Sequence, residues 1–225
     1  MCGRFTLTVN IEEIIDRFMI QSFLDEEEFL PTYNIAPSQL VLSVINDGKV
    51  NRMGYLKWGL IPPWAKDATI GHKMINARAE TLNEKPSFRN AFKKKRCLVI
   101  ADSFYEWKRN EDKTKTPMRI RLKSNELFAM AGIWEGWKSP GGQTIHTCSV
   151  ITTKPNELMK DIHDRMPVIL KPEDEKIWLD TSITDPHFLN QFLVPLDESL
   201  MESYEVSSLV NSPKNNTIEL IQEIC

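Results

Sequence analysis

The chain has 225 residues, 41% hydrophobic and 26% charged, with a formal net charge of −3. That is ordinary globular composition, long enough to bury a real core. No apolar run approaches the ~18 residues of a membrane span, and no basic-then-apolar leader opens the chain, so a cytoplasmic protein with no membrane partner is expected.

In chain order, Asn10 to Phe23 reads as an amphipathic helix: Ile11, Ile14, Ile15, Phe18 and Met19 share one face, with Asn10 as N-cap. The acidic run Asp25–Glu28 reads as a solvated turn. Val41–Ile45, the Asn46-Asp47-Gly48 turn and Val50–Trp58 read as a β-hairpin. Gly59–Asp67 contains Pro62-Pro63-Trp64 and cannot be regular structure. A short helix is expected after Pro86, ending in the Lys93–Arg96 run, which reads as a solvated face. Strands are expected at 97–108, 117–122, 127–134, 144–152, 166–170 and 203–209, and helices at 155–162, 172–179, 186–194 and 217–223. The order does not alternate strand and helix. It points to a single α+β domain over residues 1–225, with an antiparallel or mixed β-sheet, or a barrel-like core, and short peripheral helices.

The charge is unevenly placed. Residues 29–123 hold 19 Lys and Arg against 8 Asp and Glu, a net of +11, and are flanked by acidic ends. A basic middle suits a polyanion such as nucleic acid, and mutual pairing of the charges is the alternative. The four cysteines, at 2, 97, 148 and 225, lack Cys-x-x-Cys spacing, so neither a structural zinc site nor a disulfide framework is implied, nor any other cofactor. Cys97 and Cys148 lie in apolar, strand-like runs and read as core.

Cys2 is different. An initiator methionine before cysteine is usually removed, which would leave an α-amine and a thiol on one residue. Their reference pKa values, about 7.7–8.0 and about 8.5, give both usable unprotonated fractions near neutral pH. Such a 1,2-aminothiol condenses with an aldehyde to an imine and closes to a thiazolidine. Three further clusters resist a purely structural reading: Asn76 among small residues, Glu106 between Tyr105 and Trp107, and His163 amid the charges of Asp161–Arg165.

These clusters fall in six ordered motifs: Cys2-Gly3-Arg4-Phe5, Asn34-Ile35-Ala36-Pro37, Trp58-Gly59-Leu60-Ile61-Pro62, Asn76-Ala77-Arg78-Ala79-Glu80-Thr81, Phe104-Tyr105-Glu106-Trp107 and Ile162-His163-Asp164-Arg165-Met166-Pro167. With them the chain resembles, almost end to end, the SOS response-associated peptidase (SRAP) family, whose members shield abasic sites in single-stranded DNA by cross-linking to them. The resemblance implies that Cys2, freed of Met1, attacks the abasic aldehyde. It implies His163 as proton donor and acceptor for opening the sugar, Glu106 as acid/base for amine and thiol, and Asn76 as an orienting group. Arg4, Arg78 and Arg165 would meet phosphates, a structural ion pair being the alternative for each. Asn34, Pro37 and Trp64 would complete the DNA surface, the last two by stacking or wedging. The segment Lys66–Lys73 departs from the family's pattern, which weakens the carry-over at Trp64. The expected partner is therefore abasic single-stranded DNA, bound by a monomer without metal. The resemblance thus implies an abasic-site-processing enzyme, with lyase and autopeptidase activity open to it; a thiol peptidase or autopeptidase using Cys2 and a non-catalytic single-strand-binding module are the alternatives.

Overall fold

The computed structural model describes residues 2–23 and 29–224; the acidic run Asp25–Glu28 lies outside them. Strand β1 (Phe5–Leu7) is followed by helix α1 (Ile11–Phe18), β2 (Ser22–Phe23), β3 (Thr32–Ile35) and the hairpin β4 (Leu40–Asn46) and β5 (Asn51–Trp58). A loop with one 3-10 turn leads to β6 (Asn76–Arg78) and α2 (Arg89–Lys94). Then come β7 (Arg96–Ala101), β8 (Ser103–Arg109), β9 (Lys115–Leu122), β10 (Phe128–Lys138) and β11 (Thr144–Thr153). The chain finishes with α3 (Glu157–Lys160), β12 (Met166–Pro167), β13 (Ile169–Leu170), α4 (Pro172–Leu179), α5 (Pro186–Leu189) and β14 (Met201–Glu205), interspersed and followed by 3-10 turns.

The fold is α+β, and its strands form two sheets. In the first, β11, β10, β7, β4 and β5 are neighbours in that order. Strand β5 then pairs back, parallel, with β11 at Lys57–Thr147 and Trp58–Cys148, so these five strands close into a barrel. Closure removes the exposed edges that an open sheet of these strands would present. The second sheet has the order β14-β9-β8-β1-β3. Phe5 of β1 packs edge-on against Trp58 of the barrel, ring centroids 5.1 Å apart, which ties the two sheets through one core. Cys97 and Cys148 are both buried in that core. Among the described residues no helix is long and apolar enough to cross a membrane.

Several elements differ from the sequence expectation, each for a visible reason. Helix α1 stops at Phe18 rather than Phe23 because Met19 turns left-handed at φ +48 and residues 22–23 pair with β5 instead. The expected strand 97–108 is two strands in different sheets. The chain turns at Asp102, whose backbone N–H donates to Thr6 O at 3.1 Å while its carboxylate accepts from Thr8 N and Thr8 Oγ1 at 2.5 and 2.6 Å. The expected strand 166–170 likewise divides at Val168, with β12 pairing β11 and β13 pairing β10. Segment 203–209 forms its strand two residues earlier, and the segments beyond Asn190 and Ser208 wind as 3-10 turns.

Arg96 corrects the reading of Lys93–Arg96 as a solvated face. Its side chain is 3% exposed and donates to four backbone carbonyls, those of Phe92, Lys93, Trp178 and Asp180, while lying over the Trp178 ring. It fastens the end of α2 to the end of α4, and burial brings its pKa down to about 10. Arg96→Met removes a donor set that buried carbonyls cannot replace. Urea unfolding should show a loss of about 2–4 kcal/mol; a loss below about 1 kcal/mol would contradict this assignment.

Candidate active site

The site is assembled from four separated pieces of chain. Strand β1 lies between β3 and β8, in register Phe5–Ile35 and Phe5–Phe104, and the pairing continues with Tyr105 N donating to Arg4 O at 2.9 Å. That insertion carries Cys2 inward until it is fully buried. Glu106 follows on β8, directly across from Met118 of β9, and is 2% exposed.

Asn76 arrives from the barrel side. Strand β6 pairs parallel with β11, Asn76 opposite Val150. The loop before it is drawn tight where Gly59, at φ +125, meets Gly71: a Cβ on Gly59 would lie 2.7 Å from Gly71 O, and one on Gly71 2.8 Å from Gly59 O. Only glycine allows that approach. Trp58 Nε1 donates to Ile75 O at 2.8 Å and holds the other end. Asn76 Nδ2 then donates to Cys2 O at 2.7 Å, while its Oδ1 is buried with no hydrogen-bond partner among the described residues. A buried acceptor of this kind is costly in isolation and is suited to a donor brought by a ligand or by a freed N-terminus.

His163 comes from the turn between α3 and β12. Its Nε2 lies 3.9 Å from Glu106 Oε2. Its Nδ1 accepts from Arg165 N at 3.0 Å and lies 2.9 Å from Asp164 Oδ1. In the neutral ring the amide occupies Nδ1 and the proton sits on Nε2, facing Glu106; in the protonated ring Nδ1–H donates to Asp164. Burial holds His163 below its ordinary pKa, which favours the neutral ring near pH 7. Burial pushes the Glu106 carboxyl up to about 7. The Cys2 thiol is raised well above its usual value, first by burial and then by the neighbouring Glu106 charge. A buried cysteine, a buried carboxyl and a half-buried imidazole are thus neighbours in the order Cys2, Glu106, His163, and desolvation raises the carboxyl pKa toward neutrality, the condition a general acid/base needs.

The residues expected to hold DNA are placed unequally. Arg78 is exposed, and no hydrogen bond or ion pair engages it among the described residues. Trp64 is 60% exposed, and Pro37 is half-buried beside Ser38, which adopts φ +72. Arg4 is half-buried, donating to Asn34 Oδ1 at 2.6 Å and Val210 O at 2.7 Å and lying 5.7 Å from the Trp107 ring. Asn34 is not brought to a surface: it is 2% exposed and its amide nitrogen donates to the carbonyls of Val210, Ser212 and Asn215. Arg165 forms a two-pronged ion pair with Glu80, at 2.7 and 2.9 Å, and donates to Thr152 O at 2.6 Å. It anchors the His163 turn to the end of the Asn76 motif. Glu80 and Asp164 were not singled out from sequence, although each lies inside a motif that was.

Solved structures share this architecture. An X-ray structure of a protein from Bacteroides thetaiotaomicron superimposes with a TM-score of 0.89 at 29% identity, covering 100% of both chains. Fold and site together define a barrel protein with a buried cysteine at position 2, an amide bonded to it, and beside it a carboxyl faced by an imidazole, all from distant segments of the chain. The chain belongs to the SOS response associated peptidase (SRAP) family, whose model matches residues 1–213. It is 63% identical over 222 residues to the abasic site processing protein YoqW of Bacillus subtilis (strain 168), covering 99% of each chain. It is 31% identical over 231 residues to the abasic site processing protein HMCES of Xenopus tropicalis, covering 89% of this chain and 68% of that one.

A carboxyl whose pKa is raised on folding binds its proton more tightly in the folded state. The folded state therefore loses stability, relative to a Gln at the same position, as pH rises from about 4.5 through about 7. Glu106→Gln should be more stable than wild type by up to about 3 kcal/mol at pH 8 and nearly equal at pH 4.5. Urea unfolding at the two pH values measures the gap; a pH-independent difference would show that Glu106 is not held near neutrality.

Proposed function

We propose that the protein binds abasic sites in single-stranded DNA and cross-links to them through Cys2 after loss of Met1, shielding the lesion during the DNA damage response. The observation that carries this reading is the burial of Cys2 against Asn76 and beside Glu106, which His163 faces at 3.9 Å. Relatives that match nearly the whole chain are abasic site processing proteins, which supports the substrate.

The open-chain abasic sugar presents an aldehyde. The Cys2 α-amine adds to its carbon and the carbonyl oxygen takes a proton, giving a carbinolamine. Loss of that oxygen as water leaves a Schiff base. The thiol then adds its sulfur to the imine carbon and its proton passes to the nitrogen, closing the thiazolidine. Each stage moves one proton at a time, and Glu106, poised to change charge near pH 7, can accept from the amine or thiol and return the proton to the departing oxygen. His163 Nε2, facing Glu106, serves the ring oxygen of the closed sugar. The thiol's raised pKa supports an order in which the amine attacks first and disfavours a free thiolate acting on protein substrates. Asn76 holds the Cys2 carbonyl and leaves its own oxygen to orient the freed amine. Arg78 supplies a phosphate contact that reads no sequence.

The direct test is a denaturing gel with abasic single-stranded DNA. Wild type should give a covalent band. Cys2→Ala should give one only when an imine is trapped by borohydride. A form with one extra residue before Cys2 should give none; a full band from that form would sink the thiazolidine route. Glu106→Gln should slow the wild-type reaction by about 10²-fold while leaving DNA affinity nearly unchanged.

Arg78→Ala should act differently. It should weaken binding and lower the slope of log affinity against log salt by about 0.7. An unchanged slope in fluorescence anisotropy would remove Arg78 from the phosphate contacts.

A further inference from the structure

The barrel is filled at one end and open at the other. Successive residues of a strand face opposite sides of it, and crowding at Gly132 of β10 marks the concave, inner side. A Cβ there would sit 2.7 Å from Cys97 Sγ and 3.1 Å from Val99 Cγ2 of β7. The outer side belongs to the helices: Leu98, across from Val44, lines a cleft with Phe18 of α1 and Leu179 of α4. By register the inner side continues through Ser43 and Ile45 on β4, Gly54 and Leu56 on β5, Trp134 and Gly136 on β10, and Cys148 and His146 on β11. Toward the abasic pocket the interior is closed by Trp58, which lies beside Cys148 and packs on Phe5.

At the other mouth the paired residues Ser43 and Gly54 are small, and before them lies a cavity of about 280 Å³. Ile45, Leu56, Trp134 and His146 complete its wall. Gly136, opposite His146, leaves space for that ring, since even a Cβ there would stand 3.4 Å from His146 Cδ2. Trp134 is half-buried and His146 exposed, and their rings meet edge to face with centroids 5.8 Å apart. Neither makes a side-chain hydrogen bond or ion pair among the described residues, whereas the indole N–H groups of Trp58, Trp107, Trp137 and Trp178 are all bonded. Lys95 Nζ lies 5.4 Å from the Trp134 ring, its charge offset by Glu135 at 2.5 Å. Glu135 itself points to the outer side, and no carboxylate lines the cavity among the described residues. A concave, largely apolar barrel mouth with unused N–H donors and no acid fits an aromatic ring that carries a negative charge.

We infer that the open barrel mouth is a binding site for a small aromatic carboxylate. The ring packs on Ile45 and Leu56, and the carboxylate accepts from Trp134 Nε1 and from the His146 ring. The site is separate from the abasic pocket and does not depend on the proposed cross-linking. His146 stands four residues before Val150, the partner of Asn76, on the order of 13 Å along β11.

The test uses the full chain and benzoate, with benzamide as its uncharged counterpart. Binding is read from the indole N–H signals in two-dimensional nitrogen–proton NMR, the Trp134 signal being the one lost in Trp134→Phe. Benzoate should shift that signal saturably, and benzamide should bind about tenfold more weakly or worse. His146→Phe keeps a ring at the mouth but removes its donor, and should weaken benzoate about tenfold. Ser43→Leu fills the cavity and should abolish the shift while leaving the other indole signals in place. No saturable shift, equal affinity for benzoate and benzamide, or undiminished binding by His146→Phe overturns the site. Should Ser43→Leu fail to fold, the comparison of wild type with His146→Phe decides alone.

Discussion

Strand β1 is threaded between β3 and β8, and the placement of Cys2 depends on that insertion. Chain ends ordinarily fray, because few contacts repay the entropy of ordering them. Here the N-terminal segment is an interior strand. Asp102, at the corner where the chain leaves the barrel, accepts from Thr6 and Thr8, and Arg119 reaches the same corner through Ser103 Oγ and the Asp102 carboxylate. Because these buried polar groups satisfy one another, the network fixes the register of β1. Cys2 is thereby set three residues before a strand that cannot slip.

The same burial sets the electrostatics. Water is excluded from Cys2 and Glu106, so each is pushed toward its neutral form, and the half-buried His163 likewise. A carboxyl near neutrality beside a neutral imidazole can pass a proton in either direction with little driving force lost. That property suits a sequence of additions and one dehydration better than it suits a permanently ionised thiolate. The arrangement costs stability, which the closed barrel and its single large core offset.

The basic middle segment presents fewer free cations than its composition implies. Arg52, Lys95, Arg119 and Arg121 pair with acids of the fold, and Arg96 is buried among carbonyls. The excess that faces solvent is correspondingly smaller than composition implies. Among the described residues Arg78 makes no hydrogen bond or ion pair, although its charge acts on Glu80; Arg165 and Arg4 are engaged by Glu80 and by Asn34 with Val210. Asn34 illustrates the difficulty, since a motif asparagine that clamps a loop and one that touches a ligand look alike in sequence. Helix α1 and the β4–β5 hairpin were legible because their signals are local: an N-cap with one apolar face, and a turn sequence between alternating runs. The division of 97–108 was not, because the turn at Asp102 is stabilised by Thr6 and Thr8, more than ninety positions away.

By itself the sequence determined the residue types available for chemistry, their order in six motifs, the family they resemble and the α+β class. The class follows from local periodicity and element order, and the family from a resemblance carried by the motifs; neither needs a third dimension. Only the tertiary structure decided which of those residues meet. It closed the barrel through a parallel β5–β11 pairing, sank Cys2 beside Glu106, brought His163 to face that carboxyl, turned Arg165 and Asn34 inward, and left Arg78 and Trp64 outside. Burial and proximity are properties of contacts between distant segments, and those contacts set which groups are desolvated and which remain free to bind.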